Sequence, residues 1–193
     1  MKKIITISRE FGAGGGAIGR AVAERLGFEY LDKAIILKAA SEAGIDVESM
    51  YKFDETVPAS FGFAQSMFDF YNKPLNETLF EAQSKVIKRY AEKGKCVIVG
   101  RNANSILKEF DDCLHVFICA NDKARLQRMM QEYPDAGRDK MAEQLIKVDR
   151  KRKKYCTYYT DTVFGEAKYY DLCLNSSKIG IDKCVDIICD LAL

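Results

Sequence analysis

Several things are scarce in this 193-residue chain, and each absence excludes a class of protein. There is one histidine, His115, and no C-x-x-C pair among the seven cysteines, so the usual spacings of a metal centre are missing. The cysteines at 96, 113, 119, 156, 173, 184 and 189 often sit inside apolar runs, such as Cys96 before Val97-Ile98-Val99 and Cys173 between Leu172 and Leu174. They read as reduced, mostly buried thiols of a cytoplasmic protein. No apolar run approaches the roughly 20 residues that span a bilayer. Thr6, Ser8, Arg9 and Glu10 interrupt the N-terminal apolar stretch, which argues against a signal peptide. Charge of one sign is also scarce: 30 Lys and Arg face 28 Asp and Glu, leaving a net +2. General attraction to nucleic acid is therefore not expected, and any anion site must be local. No repeat or low-complexity linker divides the chain, and its length and 48% hydrophobic content fit one globular domain.

The strongest positive signal is Ile4-Ile5-Thr6-Ile7-Ser8-Arg9-Glu10-Phe11-Gly12-Ala13-Gly14-Gly15-Gly16-Ala17-Ile18-Gly19-Arg20. An apolar β-type run passes into a glycine cluster that opens a helix. This is the order of a loop whose backbone N–H groups cradle phosphates, helped by the helix dipole. The strict pattern G-x-x-x-x-G-K-[ST] does not occur. Gly94-Lys95-Cys96 precedes a strand and cannot supply it.

Periodicity predicts a strand over Ile4–Ile7, a helix over Ala17–Leu26 with a cap at Gly27, and a strand over Phe28–Asp32. A helix over Lys33–Gly44 follows, then an aromatic-rich segment, 50–71, within a stretch punctuated by Pro58, Gly62 and Pro74. That segment suits either packing under surface helices or a substrate-stacking flap. Further on come a helix over Glu77–Lys93, a strand at Cys96–Val99, a short helix near Ala103–Lys108 and a strand at Leu114–Cys119. Helices over Lys123–Glu132 and Arg138–Tyr159, a last strand at Asp171–Asn175 and a closing helix over Gly180–Leu193 complete the pattern. Near-continuous apolar strands alternating with helices indicate an α/β fold with a parallel sheet covered by helices on both faces. Ligands of such sheets bind beyond the carboxyl ends of the strands, so Gly12–Gly16, Asp32, Gly100-Arg101 and Asn121-Asp122 are expected on one rim.

Arg9, before the loop, and Arg20, one turn beyond it, could meet a phosphate, Arg20 being equally well a solvated helix residue. Asp32 at a strand end suits a sugar hydroxyl, water-mediated Mg²⁺, or a helix N-cap. Arg101 suits a bidentate phosphate contact or a structural ion pair. Arg125 and Arg128, three apart, share a helix face. Arg150 and Arg152 lie about 200° apart on theirs and could touch two phosphate groups from a closing lid, or belong to a solvated basic run.

Five pieces in order, Ile7-Ser8-Arg9-Glu10-Phe11-Gly12-Ala13-Gly14-Gly15, Tyr30-Leu31-Asp32, Val99-Gly100-Arg101, Asp149-Arg150-Lys151-Arg152 and Tyr170-Asp171-Leu172-Cys173-Leu174-Asn175, resemble the cytidylate-kinase-like family, relatives of the P-loop nucleoside monophosphate kinases. The resemblance implies a three-layer P-loop core in one domain, a helical monophosphate-binding insertion at about 33–80 and a lid at about 130–160. It implies ATP as donor, CMP or dCMP as acceptor, Mg²⁺ as cofactor, and small-molecule nucleotides rather than nucleic acid or membrane as partners. Carried over by position, Arg9 with Gly12, Ala13, Gly14, Gly15, Gly16 and Ala17 would hold the donor. Asp32 and Arg101 would hold the acceptor, and Arg128, Arg150 and Arg152 would close over the transferring group. The pattern departs from the classical kinases at the loop: Gly15 aligns with the lysine, and Gly16 or Ala17 with the Mg²⁺-holding hydroxyl. Asn102 stands where cytidylate kinases tend to have aspartate. The departures leave open an alternative, a catalytically weak or inactive nucleotide-binding regulator.

Overall fold

The computed structural model describes residues 2–41 and 75–193. The greater part of the expected insertion, and with it the aromatic segment 50–71, lies outside the described residues. The chain order is β1 (Ile4–Arg9), α1 (Gly15–Leu26), β2 (Glu29–Leu31), α2 (Lys33–Ser41), α3 (Leu75–Lys93), β3 (Cys96–Val99), α4 (Ala103–Ile106) and β4 (Cys113–Cys119). It continues with α5 (Asp122–Glu132), α6 (Arg138–Tyr159), a 3-10 turn (Ala167–Tyr169), β5 (Leu172–Asn175), α7 (Ser176–Ile179) and α8 (Ile181–Ala192).

Among the described residues, five parallel strands pair in the order β2-β3-β1-β4-β5. Alternation along each strand divides the apolar side chains between two layers. Ile5, Ile7, Val97, Val99, Val116 and Ile118 face α1 and α8, packing on Ile18, Val22, Val185 and Ile188. Ile4, Cys96 and Ile98 point to the other face, against Ile36, Leu37, Leu79, Val86 and Ile87. The sheet is thus covered on both sides, as the apolar strand runs require. A smaller cluster of Met129, Met141 and Leu145, with Phe11 partly buried against it, ties α5 and α6 to the loop after β1.

β1 lies between β3 and β4, so the loop leaving it opens into the crevice where connections diverge to the two sides, the usual ligand position of an open α/β sheet. Several boundaries differ from expectation. β1 runs two residues further, through Arg9, because pairing with β4 extends to Arg9↔Ile118. α1 begins at Gly15, taking two of the loop glycines into its first turn. The last strand gives way to a one-turn helix before the closing one.

Gly27 caps α1 as expected, donating to the Ala23 and Glu24 carbonyls. Five cysteines are buried, but Cys173 is exposed: β5 is an edge strand, and Cys173 points away from the layer that buries Leu174. Burial pushes the Cys96 and Cys113 thiols up to about 12, consistent with inert, protonated groups. His115 is structural, with Nδ1 2.8 Å from Thr6 Oγ1. No helix of the described residues is long and apolar enough to cross a membrane.

Candidate active site

The loop from β1 to α1 forms the floor of a cavity of about 540 Å³, lined by Gly12, Gly14, Gly15, Gly16 and Ala17 with Arg9, Glu10, Arg20, Tyr30, Arg128, Glu132 and Arg152. Gly14 occupies the left-handed region (φ 84°) at the N-cap of α1, and no side chain caps the helix. The first-turn N–H groups therefore keep their hydrogen-bonding capacity toward the cavity.

The loop's shape is fixed from behind. Ser176 Oγ donates to the Ala13 carbonyl at 2.6 Å, and Arg128 Nη1 donates to the Gly12 carbonyl at 2.5 Å. The Phe11 N–H donates to Asp149 Oδ1 at 2.8 Å, and Arg125 Nη1 donates to the Phe11 carbonyl at 3.2 Å. Arg125 also pairs closely with Asp149 Oδ2 and donates to Asp122 Oδ1 at 3.0 Å. Burial alone would depress the Arg125 guanidinium, but the carboxylates of Asp149, Glu10 and Asp122 together outweigh it and hold the pKa above the ordinary value. Glu10, beside the loop, accepts the Ala120 N–H through Oε2 at 3.1 Å.

A second, tighter space of about 20 Å³ adjoins the end of β3, lined by Ser8, Arg9, Gly100, Arg101, Asn102, Asn104, Arg152, Tyr155 and Tyr170 among others. Gly100, Arg101 and Asn102 all have positive φ (84°, 59° and 53°). For two consecutive non-glycine residues this is costly backbone, of the kind found where a side chain must be aimed. Arg101 is only 4% exposed. Arg9 and Arg152 line both spaces, and Arg152 Nη1 donates to the Arg9 carbonyl at 3.1 Å.

Of the residues expected from the sequence, the structure gathers Arg9, Gly12, Gly14, Gly15, Gly16, Ala17, Arg128 and Arg152 around the larger cavity and Arg101 in the smaller one. Ala13 is wholly buried and contributes its carbonyl to the Ser176 bond. Asp32 caps α2, accepting the Ala34 and Ile35 N–H groups at 3.0 and 3.2 Å, and lines neither space. Asn121 likewise caps α5, accepting the Ala124 N–H. Arg150 is exposed and lines neither space. Arg20 stacks over Tyr30 at 4.5 Å at the rim of the larger cavity.

Sequence reasoning gave no role to Glu10, Asp149 or Ser176, and of Arg125 it gave only that it shares a helix face with Arg128. Asp149 had a signal: it continues the Met141, Leu145 spacing of a buried helix face. A carboxylate on such a face needs a buried partner. Glu10 and Ser176 act across long sequence distances and had none.

A glycine loop at the switch point of a five-stranded parallel sheet, opening a helix with no side-chain cap and met by several arginines, is the arrangement of a P-loop-type α/β fold. Residues 4–178 match the cytidylate kinase-like family, and the chain belongs to that family. Among solved structures, an uncharacterized protein from Eubacterium ventriosum is similar at 23% identity and TM-score 0.76, covering 98% of this chain and 97% of that one. A shikimate kinase from Bacteroides thetaiotaomicron shares the fold at 16% identity and TM-score 0.52, covering 97% of this chain and 96% of that one. The protein TT1252 from Thermus thermophilus does so at 13% and 0.57, covering 98% and 97%. No curated protein matches the chain.

Proposed function

We propose that this protein transfers the γ-phosphoryl group of ATP to a nucleoside monophosphate, with CMP or dCMP as the first candidates. The observation that carries the reading is the pair of adjoining spaces sharing Arg9 and Arg152. A donor lying on the loop amides and an acceptor phosphate near Arg101 would meet between these two guanidinium groups. In the transfer, an acceptor phosphate oxygen bonds to the γ-phosphorus. The bond to the β,γ-bridging oxygen breaks, and its electron pair leaves on ADP. Little covalent help is needed, because positioning and neutralisation of oxygen charge supply most of the catalysis. Arg128 and Arg152, which line the loop cavity, would supply that neutralisation. Arg150, on the exposed face of α6, would join only on further closure.

The base preference rests on the family's name. Residues from about 33 to 80 would form the monophosphate-binding insertion and those from about 130 to 160 the lid, α6 supplying Arg150 and Arg152. Asp32 belongs to acceptor binding only if the acceptor approaches the start of α2.

Mg²⁺ fits the site in part. The hydroxyl usually opposite the metal is missing at Gly16 and Ala17, but the Glu10 carboxylate lines the loop cavity and could hold a metal-bound water. When bound, the ion would supply positive charge that offsets the negative charge of the donor phosphates. Positions 15–17, which carry neither a cation nor a hydroxyl, favour a second reading: a regulatory protein that binds nucleotide with little or no turnover. Product analysis after incubation with Mg·ATP and CMP separates the two. Formation of CDP and ADP in equal amounts supports the kinase, and tight ATP binding without CDP supports the regulator.

A further inference from the structure

The glycine at position 15 is coupled to the arginine at position 9. A Cβ placed on Gly15 would lie 2.6 Å from Arg9 Cβ and 2.8 Å from Arg9 Cγ. Real side chains do not approach so closely, and the atoms concerned are the base of Arg9, which cannot swing aside as a side-chain tip can. At its far end, the Arg9 guanidinium fills the space that a Cβ on Gly100 would take. The side chain therefore leaves the end of β1, passes across the first residue of α1, and ends over the turn after β3. Along this path it borders both the loop cavity and the space beside Arg101.

A lysine in a phosphate loop reaches the β- and γ-phosphates from the start of the helix. Here the helix start is glycine, and a cation arrives from the preceding strand over the same Cα. We infer that Arg9 takes the place of the loop lysine. It would bind the γ-phosphoryl group of a nucleoside triphosphate on the side facing the acceptor, and Gly15 and Gly100 are glycine because Arg9 needs their Cβ space. The two solutions exclude each other: this backbone holds the strand arginine or a helix lysine, not both.

A guanidinium in this position differs from the ammonium it replaces. It offers a planar fork that can hold two oxygens of one phosphoryl group, or one oxygen from each of two. Its place between the spaces suits the second arrangement, bridging donor and acceptor. The inference rests on the phosphoryl-transfer reading, but its binding consequence can be measured without turnover. A γ-phosphate contact strengthens ATP binding and leaves ADP binding nearly unchanged, whereas a purely structural arginine would affect both alike.

The test compares the full-length wild type with Arg9→Met, Arg9→Lys, Gly15→Lys and the double variant Arg9→Ala/Gly15→Lys. ATP and ADP affinities are measured by calorimetry with Mg²⁺ present, thermal melting monitors folding, and ADP release with CMP reports turnover. Loss of a charged contact should cut the ATP-over-ADP affinity ratio about tenfold or more in Arg9→Met. Arg9→Lys should recover part of the ratio. Gly15→Lys alone should lose stability, and the double variant should regain both folding and the preference for ATP. An unchanged ATP-over-ADP ratio in a folded Arg9→Met overturns the inference. So does a Gly15→Lys protein that melts like wild type and binds ATP more tightly. If wild type binds ATP without turnover while Arg9→Met loses the ratio, the arginine's role stands and the kinase reading fails. Absence of ATP binding by wild type overturns both.

Discussion

The carboxylate of Asp149, on α6, accepts the backbone N–H of Phe11 at 2.8 Å, fixing this long helix to the start of the glycine loop. Its other oxygen pairs with Arg125, which in turn donates to the Phe11 carbonyl, so both polar groups of one loop residue are held by one ion pair. Both side chains are largely withdrawn from water, at 7% and 12% exposure. Such a pair adds little net stability relative to an apolar substitute. Removing one partner, however, strands a buried charge and a loop amide.

Asp149→Ala should therefore destabilise the protein by about 3 kcal/mol or more, with Arg125 left uncompensated. Urea unfolding at neutral pH measures this. Asp149→Asn keeps an acceptor for the Phe11 amide and should lose less. Equal losses would mean that the charge, not the amide contact, carries the effect.

Gly100 has φ 84°, and a Cβ there would fall on the Arg9 guanidinium. Gly100→Ala should cost about 1–3 kcal/mol in backbone strain. It should also displace Arg9, lowering nucleotide turnover more than the stability loss accounts for. Unfolding midpoints and ADP release on the same samples distinguish the two contributions.

Arg152 borders both spaces and lies 5.8 Å from the centre of the Phe11 ring. If it neutralises charge on the transferring group, Arg152→Ala should lower kcat about 100-fold with a smaller change in KM for ATP. An effect confined to KM would mean it binds ground state and transition state equally.

Burial pushes the His115 imidazole below its ordinary value, the nearby Asp171 opposing this only in part. The unfolded chain then takes up a proton where the folded one does not. Stability should be unaffected by this residue above its unfolded pKa of about 6.5 and should fall as pH drops below it. The slope due to one such group is at most about 1.4 kcal/mol per pH unit. His115→Gln should flatten the decline in unfolding midpoint between pH 7.5 and 5.5.

Much of the fold could be read from the sequence because the strands are short apolar runs bounded by glycine or charge. Cys96–Val99 and the helix Arg138–Tyr159 fall where periodicity puts them. The glycine loop was equally legible, since its chemistry is local. Long-range geometry was not. Nothing in the sequence shows that Arg9 crosses Gly15 to reach Gly100, because that path depends on β1 and β3 being neighbours. Asp32 illustrates a competition: the same strand-end carboxylate suits a ligand or a helix cap, and the free N–H groups of α2 claim it. Cys173 is exposed because β5 is an edge strand, and sheet order is not written in a single strand's composition.

The most direct test of the central claim is acceptor-dependent ADP release from Mg·ATP, measured against CMP, dCMP, UMP, AMP and GMP alongside direct ATP binding. The account predicts saturable release with a pyrimidine monophosphate, accompanied by the matching nucleoside diphosphate. ATP binding with no acceptor-dependent release for any of the five would contradict it and leave a nucleotide-binding regulator built on a kinase fold.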